Sequence, residues 1–130
     1  MAAYLLDTNA LVDWLGGVES VTRLLEDISV RGNKFAACCV SIAELYAGLA
    51  DHERPRADQL AANFDYWDID SAMAKQAGHY RYSYARRGIQ LSAPDTLLAA
   101  LAVSRDATLI TANLKDFPMP EIKLLPLPPR

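Results

Sequence analysis

The sequence predicts an α/β fold with a central parallel sheet of about four or five short strands flanked by helices. Short apolar runs that suit buried strands alternate with segments whose apolar residues recur at helical spacing. Three acids, Asp7, Glu44 and Asp95, stand where a strand gives way to a helix or where a helix opens. Chemistry in such sheets gathers at the carboxyl ends of the strands, so we expect these acids to converge in one crevice.

The first half of the chain predicts two strands, each followed by helical sequence. Residues 3–6 form an apolar run that ends at Asp7, and residues 35–40 form another after the break at Gly32 and Asn33. Apolar residues spaced three and four apart then predict amphipathic helices. The first helical stripe consists of Val21, Leu24, Leu25 and Ile28, and the second of Ile42, Leu45, Tyr46 and Leu49.

The second half continues the alternation. Helices are predicted over 54–64, over a long segment that ends at Gly88, and over 95–104. The inward residues of the first are Leu60 and Phe64, and those of the second are Met73, Ala77, Tyr80 and Tyr84. Short strands are predicted at 66–69 and 108–111, with an edge strand at 122–125.

The composition predicts one domain over residues 1–130, with a Pro-rich tail at about 126–130 as the segment expected to be disordered. No apolar run approaches the roughly 20 residues of a membrane span, and no basic region precedes an apolar core near the start, so we expect a soluble, cytoplasmic protein. The net charge of −3 weakens a nucleic-acid-binding hypothesis without excluding it. We expect Cys38 and Cys39 to be buried structural thiols rather than a disulfide or a zinc site.

Each acid also has a purely structural interpretation. Ser41 and Glu44 fit a capping box, Asp95 follows a helix-start signal at Ser92, and Asp7 is a good N-cap residue. Independent caps, however, have no reason to follow one strand after another. A cluster of oxygen ligands without Cys or His suits Mg²⁺ or Mn²⁺ and indicates phosphoryl chemistry.

Four segments together resemble the successive motifs of PIN-domain ribonucleases, above all the VapC-type toxins of bacterial VapBC toxin–antitoxin pairs. They are 5–9 (LLDTN), 41–45 (SIAEL), 93–100 (APDTLLAA) and 109–117 (LITANLKDF). The resemblance spans about residues 4–117 and implies a three-layer sandwich. It also implies that Mg²⁺, or Mn²⁺, is held by Asp7, Glu44 and Asp95, with a fourth ligand at Asn113 or Asp116. The hydroxyl groups of Thr8 and Thr111 resemble those that orient metal-binding carboxylates, although capping or strand roles explain the two residues equally well.

The resemblance further implies an endoribonuclease that leaves 5′-phosphate and 3′-hydroxyl ends on RNA, with tRNA or rRNA loops as targets. It implies a homodimer and a VapB-type antitoxin that wraps the helices near Glu44 and blocks the metal site. The alternative is a catalytically inactive PIN-like module that binds RNA or protein, which a neutral Asn113 would favour. A haloacid-dehalogenase-like phosphatase is disfavoured because Asn9 replaces the second Asp, and a receiver-like domain because Lys115 lies in a polar loop.

Two sets of side chains offer candidate RNA contacts. Basic residues near the end of the long helix would meet phosphates, or would simply be a solvated helix end; they are His79, Arg81, Arg86 and Arg87. Arg54 and Arg56 are expected to be surface charge. Aromatic residues at helical spacing are more typical of a core than of base stacking; they are Trp14, Tyr46, Trp67, Tyr80 and Tyr84.

Overall fold

The computed structural model describes residues 2–130 and contains a five-stranded, all-parallel sheet in the order β3-β2-β1-β4-β5. The strands are β1 (Ala3–Leu6), β2 (Lys34–Cys38), β3 (Asp65–Trp67), β4 (Thr108–Thr111) and β5 (Lys123–Pro126). Leu5 of the central strand pairs with Ala36 on one side and with Leu109 on the other. The first strand in sequence is therefore the middle of the sheet.

Six helices connect and cover the strands. They are α1 (Thr8–Leu15), α2 (Glu19–Val30), α3 (Cys39–Ala47), α4 (Arg54–Ala61), α5 (Ser71–Ala85) and α6 (Ala93–Ser104). Short 3₁₀ turns occupy Asp51–Glu53 and Leu114–Asp116. After α5 the chain reverses at Gly88, whose φ of 77° is the left-handed conformation that glycine adopts most easily. Within residues 2–130, no helix has the length and apolar character needed to cross a membrane.

The sheet separates two hydrophobic cores, and this gives the molecule three layers. Successive residues of a strand face opposite sides of the sheet. Leu5 accordingly packs with α5 and α6, around Leu98 and Leu101, whereas Leu6 packs with α1, α2 and α3, around Leu11. Both strand residues are fully buried. The predicted three-layer α/β architecture is confirmed.

Most predicted elements are present, and β1 and β4 have the predicted bounds. The predicted strand 35–40 is wrong at its end, because the strand stops at Cys38 and α3 begins at Cys39. Cys39 is consequently exposed, and only Cys38 is the buried thiol that we expected. Val40 also belongs to the helix.

The C-terminal tail differs most from the expectation, because it is ordered against the rest of the molecule. The backbone N–H of Leu127 donates to the carbonyl of Thr111 (2.9 Å), which continues the β4–β5 pairing. The hydroxyl of Ser20 donates to the carbonyl of Pro129 (2.9 Å), and Arg130 forms an ion pair with Asp13. Proline removes backbone donors from the tail, but its carbonyls and the Arg130 side chain still supply attachment points.

Candidate metal centre

Asp7 stands at the carboxyl end of the central strand and is held by both of its carboxylate oxygens. Its backbone N–H extends the sheet pairing to the carbonyl of Ile110 (3.1 Å), and its extended conformation makes it the N-cap of α1. Oδ1 accepts from the backbone N–H of Thr8 (2.7 Å), and Oδ2 accepts from the hydroxyl of Thr111 (2.7 Å). Asp7 is 6% exposed. Asp7 therefore caps α1 and also takes its place in the crevice.

Glu44 reaches the same crevice from α3. Its Oε1 accepts from the hydroxyl of Thr8 at 2.5 Å, so a residue of α1 links the first two acids. The predicted Ser41–Glu44 capping box is wrong, because Cys38 is the N-cap and Ser41 lies inside the helix. The fully buried Ser41 hydroxyl instead donates to the carbonyl of Leu6 (3.0 Å). That bond fixes the first turn of α3 to the end of β1.

Asp95 lies in the first turn of α6 and is half-buried. The predicted helix start at Ser92 is confirmed, since the Ser92 hydroxyl accepts from the backbone N–H of Asp95 (3.2 Å). The buried Thr96 hydroxyl lies 3.1 Å from the carbonyls of both Ser92 and Ala93. The first turn of α6 is thus fixed on both sides of Asp95.

The loop after β4 brings the remaining candidates to the crevice. The Thr111 hydroxyl accepts from the backbone N–H of Asn113 (3.0 Å), and the Asn9 side-chain oxygen accepts from the backbone N–H of Ala112 (3.1 Å). Asp116 follows in the 3₁₀ turn and is half-buried, whereas the Asn113 side chain is exposed. The hydroxyls of Thr8 and Thr111 both bind carboxylates, as one of the two interpretations predicted.

The four acids act on one another electrostatically. Burial raises the pKa of Asp7, the hydrogen bonds from Thr111 and Thr8 oppose the rise, and the charges of Glu44 and Asp116 add to it. Burial also raises the pKa of Asp95, Ser92 opposes the rise, and the charges of Asp116, Asp7 and Glu44 add to it. Asp7, Glu44, Asp95 and Asp116 therefore share one region of negative potential.

The acids do not form a tightly closed cage. Among residues 2–130, no three acidic, histidine or cysteine side chains lie close enough to make a ready-made metal-binding group. Carboxylates repel one another, and Thr8 and Thr111 already engage Glu44 and Asp7. Mg²⁺ keeps several of its water ligands and takes only one or two carboxylates directly. The chemistry of this all-oxygen donor set therefore suits a hydrated divalent cation.

Sequence reasoning missed three contributors near the crevice. Asn9 was considered as the residue that disfavours a haloacid-dehalogenase-like phosphatase, although its side-chain oxygen holds the loop after β4. Asp13 and Arg130 were not considered, yet they pair across 117 positions of the sequence. Asp13 falls among the buried residues of α1, between Leu11 and the end of the helix. An acid on an inward helical face is a signal for a cationic partner elsewhere in the chain.

The aromatic residues take structural positions. Tyr80 and Tyr84 are buried in the core, and so is Trp67, under the guanidinium of Arg105. Trp14 packs against Phe35 and Phe64, and Tyr46 binds Asp58. These contacts favour the core interpretation over base stacking.

The basic residues in and just after α5 already contact other groups of the chain. Arg81 donates from Nε to the carbonyl of Leu91 (3.1 Å), and the guanidinium of Arg86 lies 4.5 Å from the ring centre of Tyr82. Arg87 stacks on Tyr84 in the same way. Their positive charges remain on the surface, because charge is not neutralised by stacking on an aromatic ring.

Comparison with known proteins identifies relatives along the whole site-bearing region. The family model described as PIN domain matches residues 4–118. A ribonuclease VapC19 of Mycobacterium tuberculosis is 32% identical over 117 residues, which is 88% of this chain and 92% of that protein. A toxin–antitoxin complex from Klebsiella pneumoniae contains a chain that is 26% identical, with a TM-score of 0.76 and coverage of 92% and 94%. The fold also matches VapBC2 of Rickettsia felis, solved on a promoter DNA fragment, with a TM-score of 0.85, 24% identity and coverage of 95% and 98%.

Proposed function

Because the chain belongs to the PIN-domain family, we propose that it is a divalent-metal-dependent endoribonuclease that acts as the toxin of a toxin–antitoxin pair. Its similarity to a VapC ribonuclease over nearly its full length supports the nuclease activity. Its similarity to a chain of a toxin–antitoxin complex supports the toxin role. A cytoplasmic location, where RNA and antitoxin are made, belongs to the same proposal.

The observation that carries the proposal is a nearly buried carboxylate, Asp7, placed among three further acids at the carboxyl edge of the sheet. Asp7, Glu44 and Asp95 would hold Mg²⁺, or Mn²⁺, directly or through water. Asp116 is the better fourth candidate, because its charge acts on both Asp7 and Asp95. Asn113 is neutral and exposed, and would contribute at most an outer contact.

The chain's own groups would prepare the crevice for hydrolysis. The hydroxyls of Thr111 and Thr8 fix the rotamers of Asp7 and Glu44, and Asn9 fixes the loop that carries Asp116. When bound, a divalent cation would acidify a water molecule and neutralise charge on the scissile phosphate. Attack by water, rather than by the ribose 2′-hydroxyl, leaves 5′-phosphate and 3′-hydroxyl ends. Loops of tRNA or rRNA are the proposed targets.

The proposed antitoxin surface lies beside Glu44. A groove of about 600 Å³ runs between α1, α3 and α4, and its apolar wall consists of Val12, Leu15, Leu45 and Leu49. Glu44 and Arg56 border it. A VapB-type antitoxin segment that fills this groove would reach the acids and block them, often with a basic side chain. A homodimer, also proposed from the family resemblance, would present two such sites.

The test is cleavage of end-labelled total RNA by the purified chain with Mg²⁺, with Mn²⁺ and with EDTA. Asp95→Asn is the site variant. Asp27→Asn is the matched control, since Asp27 is exposed on α2, the helix that leads into the amino end of β2. We expect discrete fragments with 5′-phosphate ends, lost with EDTA and with Asp95→Asn but kept with Asp27→Asn. Cleavage that survives EDTA would refute the metal site.

One observation favours the second candidate, a catalytically inactive PIN-like module that binds RNA or protein. No compact group of three metal-binding side chains is preformed among residues 2–130. That candidate predicts a folded chain that binds RNA or an antitoxin but produces no fragments with either metal.

A further inference from the structure

The tail carries a second feature of the molecule, an ion pair between the buried Asp13 and the exposed Arg130. The Asp13 side chain on α1 is 7% exposed, and its Oδ1 accepts from both Nε (3.0 Å) and Nη2 (2.5 Å) of Arg130. The Arg130 side chain is 71% exposed. An arginine has five N–H donors, so the buried carboxylate fixes one edge of the guanidinium while the rest stays accessible to a ligand.

A cleft of about 540 Å³ lies between this tail and α1. Its walls combine polar groups of α1 with aliphatic and proline side chains; the lining residues are Thr8, Asn9, Val12, Asp13, Ala112 and residues 127–130. Thr8 binds Glu44, and Asn9 holds the loop that leads to Asp116. The cleft therefore adjoins the candidate metal centre through Thr8 and Asn9.

We propose that this cleft binds the RNA nucleotide adjacent to the scissile phosphate, and that Arg130, oriented by Asp13, contacts its backbone phosphate. The inference rests on the proposed function, because it places this nucleotide relative to the acids. The flat faces of Pro128 and Pro129 suit the apolar face of a base or a ribose.

The exposed guanidinium of Arg130 favours an anionic ligand such as RNA, because Asp13 engages only its Nε and Nη2. Every nucleotide brings a negative charge toward a crevice that already contains four carboxylates, and the net charge of the chain is −3. A fixed cation next to the crevice lowers that repulsion, since phosphate contacts from Arg and Lys supply most of the affinity of proteins for nucleic acid. Arg130 is the only cationic residue that lines this cleft in the part of the chain described, residues 2–130.

The test measures binding of a short, fluorescein-labelled, single-stranded RNA of random sequence. Arg130→Gln removes the charge, and Arg130→Lys keeps it without the forked geometry. Arg31→Gln is the control, because Arg31 is exposed between the end of α2 and the amino end of β2. Binding is measured in an Asp95→Asn background so that the RNA stays intact. KM and kcat for total RNA are measured in the otherwise unaltered chain.

We expect Arg130→Gln to weaken binding by about five-fold and to reduce the slope of log K against log salt by about 0.7, the value for one phosphate contact on a single strand. KM should rise with little change in kcat. Arg130→Lys should retain most of the affinity, and Arg31→Gln all of it. A role of the ion pair in fold stability alone predicts instead a lower melting temperature, no change in salt slope and no rescue by lysine.

The outcomes separate this inference from the proposed function. If the unaltered chain cuts RNA and Arg130→Gln leaves affinity, KM and salt slope unchanged, the cleft is not an RNA subsite, although the nuclease proposal stands. If the unaltered chain cuts nothing but Arg130→Gln still reduces affinity and salt slope, the cleft binds RNA and the nuclease proposal fails.

Discussion

Asp7 combines nearly complete burial with a position among other negative charges, and the fold makes its ionised form unfavourable. Because its pKa is raised in the folded state, the native chain binds the Asp7 proton more tightly than the unfolded chain does. Ionisation of Asp7 therefore lowers the free energy of unfolding as pH rises from about 3.9, the pKa of an unperturbed aspartate, through the raised folded value. Below that window the penalty is absent, and above it the penalty is complete.

Asp7→Asn should accordingly raise the free energy of unfolding at neutral pH in EDTA while reducing cleavage by about a hundred-fold or more. The gain should shrink as pH falls through the window, because the native aspartate is then protonated. Urea unfolding at several pH values measures it.

Asp13→Asn is the matched comparison, because Asp13 is another buried aspartate and lies on α1, the helix that Asp7 caps. It should lower the free energy of unfolding by about 1 kcal/mol, because Arg130 loses its charged partner but stays largely solvated. We expect the charge of Asp7 to destabilise the fold and that of Asp13, paired with Arg130, to stabilise it. Stabilisation by Asp13→Asn, or destabilisation by Asp7→Asn at neutral pH, would contradict this.

Thr111 tests whether a hydroxyl positions the acid. Thr111→Val keeps the shape but removes the donor to Asp7 and the acceptor for the N–H of Asn113. In this fully buried place we expect a loss of about 1–2 kcal/mol in stability and a lower kcat. Thr111→Ser retains the hydroxyl and should restore kcat. Equal kcat for the valine and serine variants would show that the hydroxyl does not orient Asp7.

At the scale of single elements, the spacing of apolar residues predicted strands and helices well where these apolar residues are also the buried ones. The run Thr108–Thr111 begins and ends with a threonine and forms the predicted strand, β4. Residues 35–40 were misjudged at their end because Cys39 and Val40 are as apolar as the strand before them. The helix that follows β2 is held there by a tertiary contact, the hydrogen bond from Ser41 to the carbonyl of Leu6, 35 positions away. The residues near Ser41 in the sequence do not indicate that its partner is Leu6.

The N-cap of α6 is an element whose effect on the site is measurable. Ser92→Ala should lower the free energy of unfolding by about 1 kcal/mol, because the Asp95 N–H loses its acceptor at the helix start. It should also reduce kcat, since Asp95 lies in that first turn. Ser92→Thr keeps the hydroxyl and serves as the control. An unchanged melting temperature and kcat in Ser92→Ala would show that the cap does not hold Asp95.

Over the whole molecule, the sequence predicted the sheet and its helical layers, and placed Asp7, Glu44 and Asp95 near one edge. It did not predict how the tail would pack. The proline-rich residues 126–130 lack both helical and strand periodicity, so composition alone indicated disorder. Their order depends on Thr111, Ser20 and Asp13, which are remote in sequence and contribute one attachment each.

Bound metal should stabilise the whole fold if the four acids form the site. A cation that binds only the native chain adds about 2.7 kcal/mol at a concentration one hundred times its Kd. The melting temperature should rise with Mg²⁺, fall back with EDTA, and respond much less in Asp95→Asn than in the Asp27→Asn control. A rise of the same size in Asp95→Asn would place the bound Mg²⁺ elsewhere.

The position of β1 in the middle of the sheet has a consequence for biosynthesis. Asp7 is translated early, but the strand on one side of β1 and the Thr111 hydroxyl that holds Asp7 come 104 positions later. A ribosome-bound chain would therefore carry an unfinished site until β4 has been translated. An RNA-cutting activity would therefore be absent until β4 has been made, and an antitoxin would be needed only from that point.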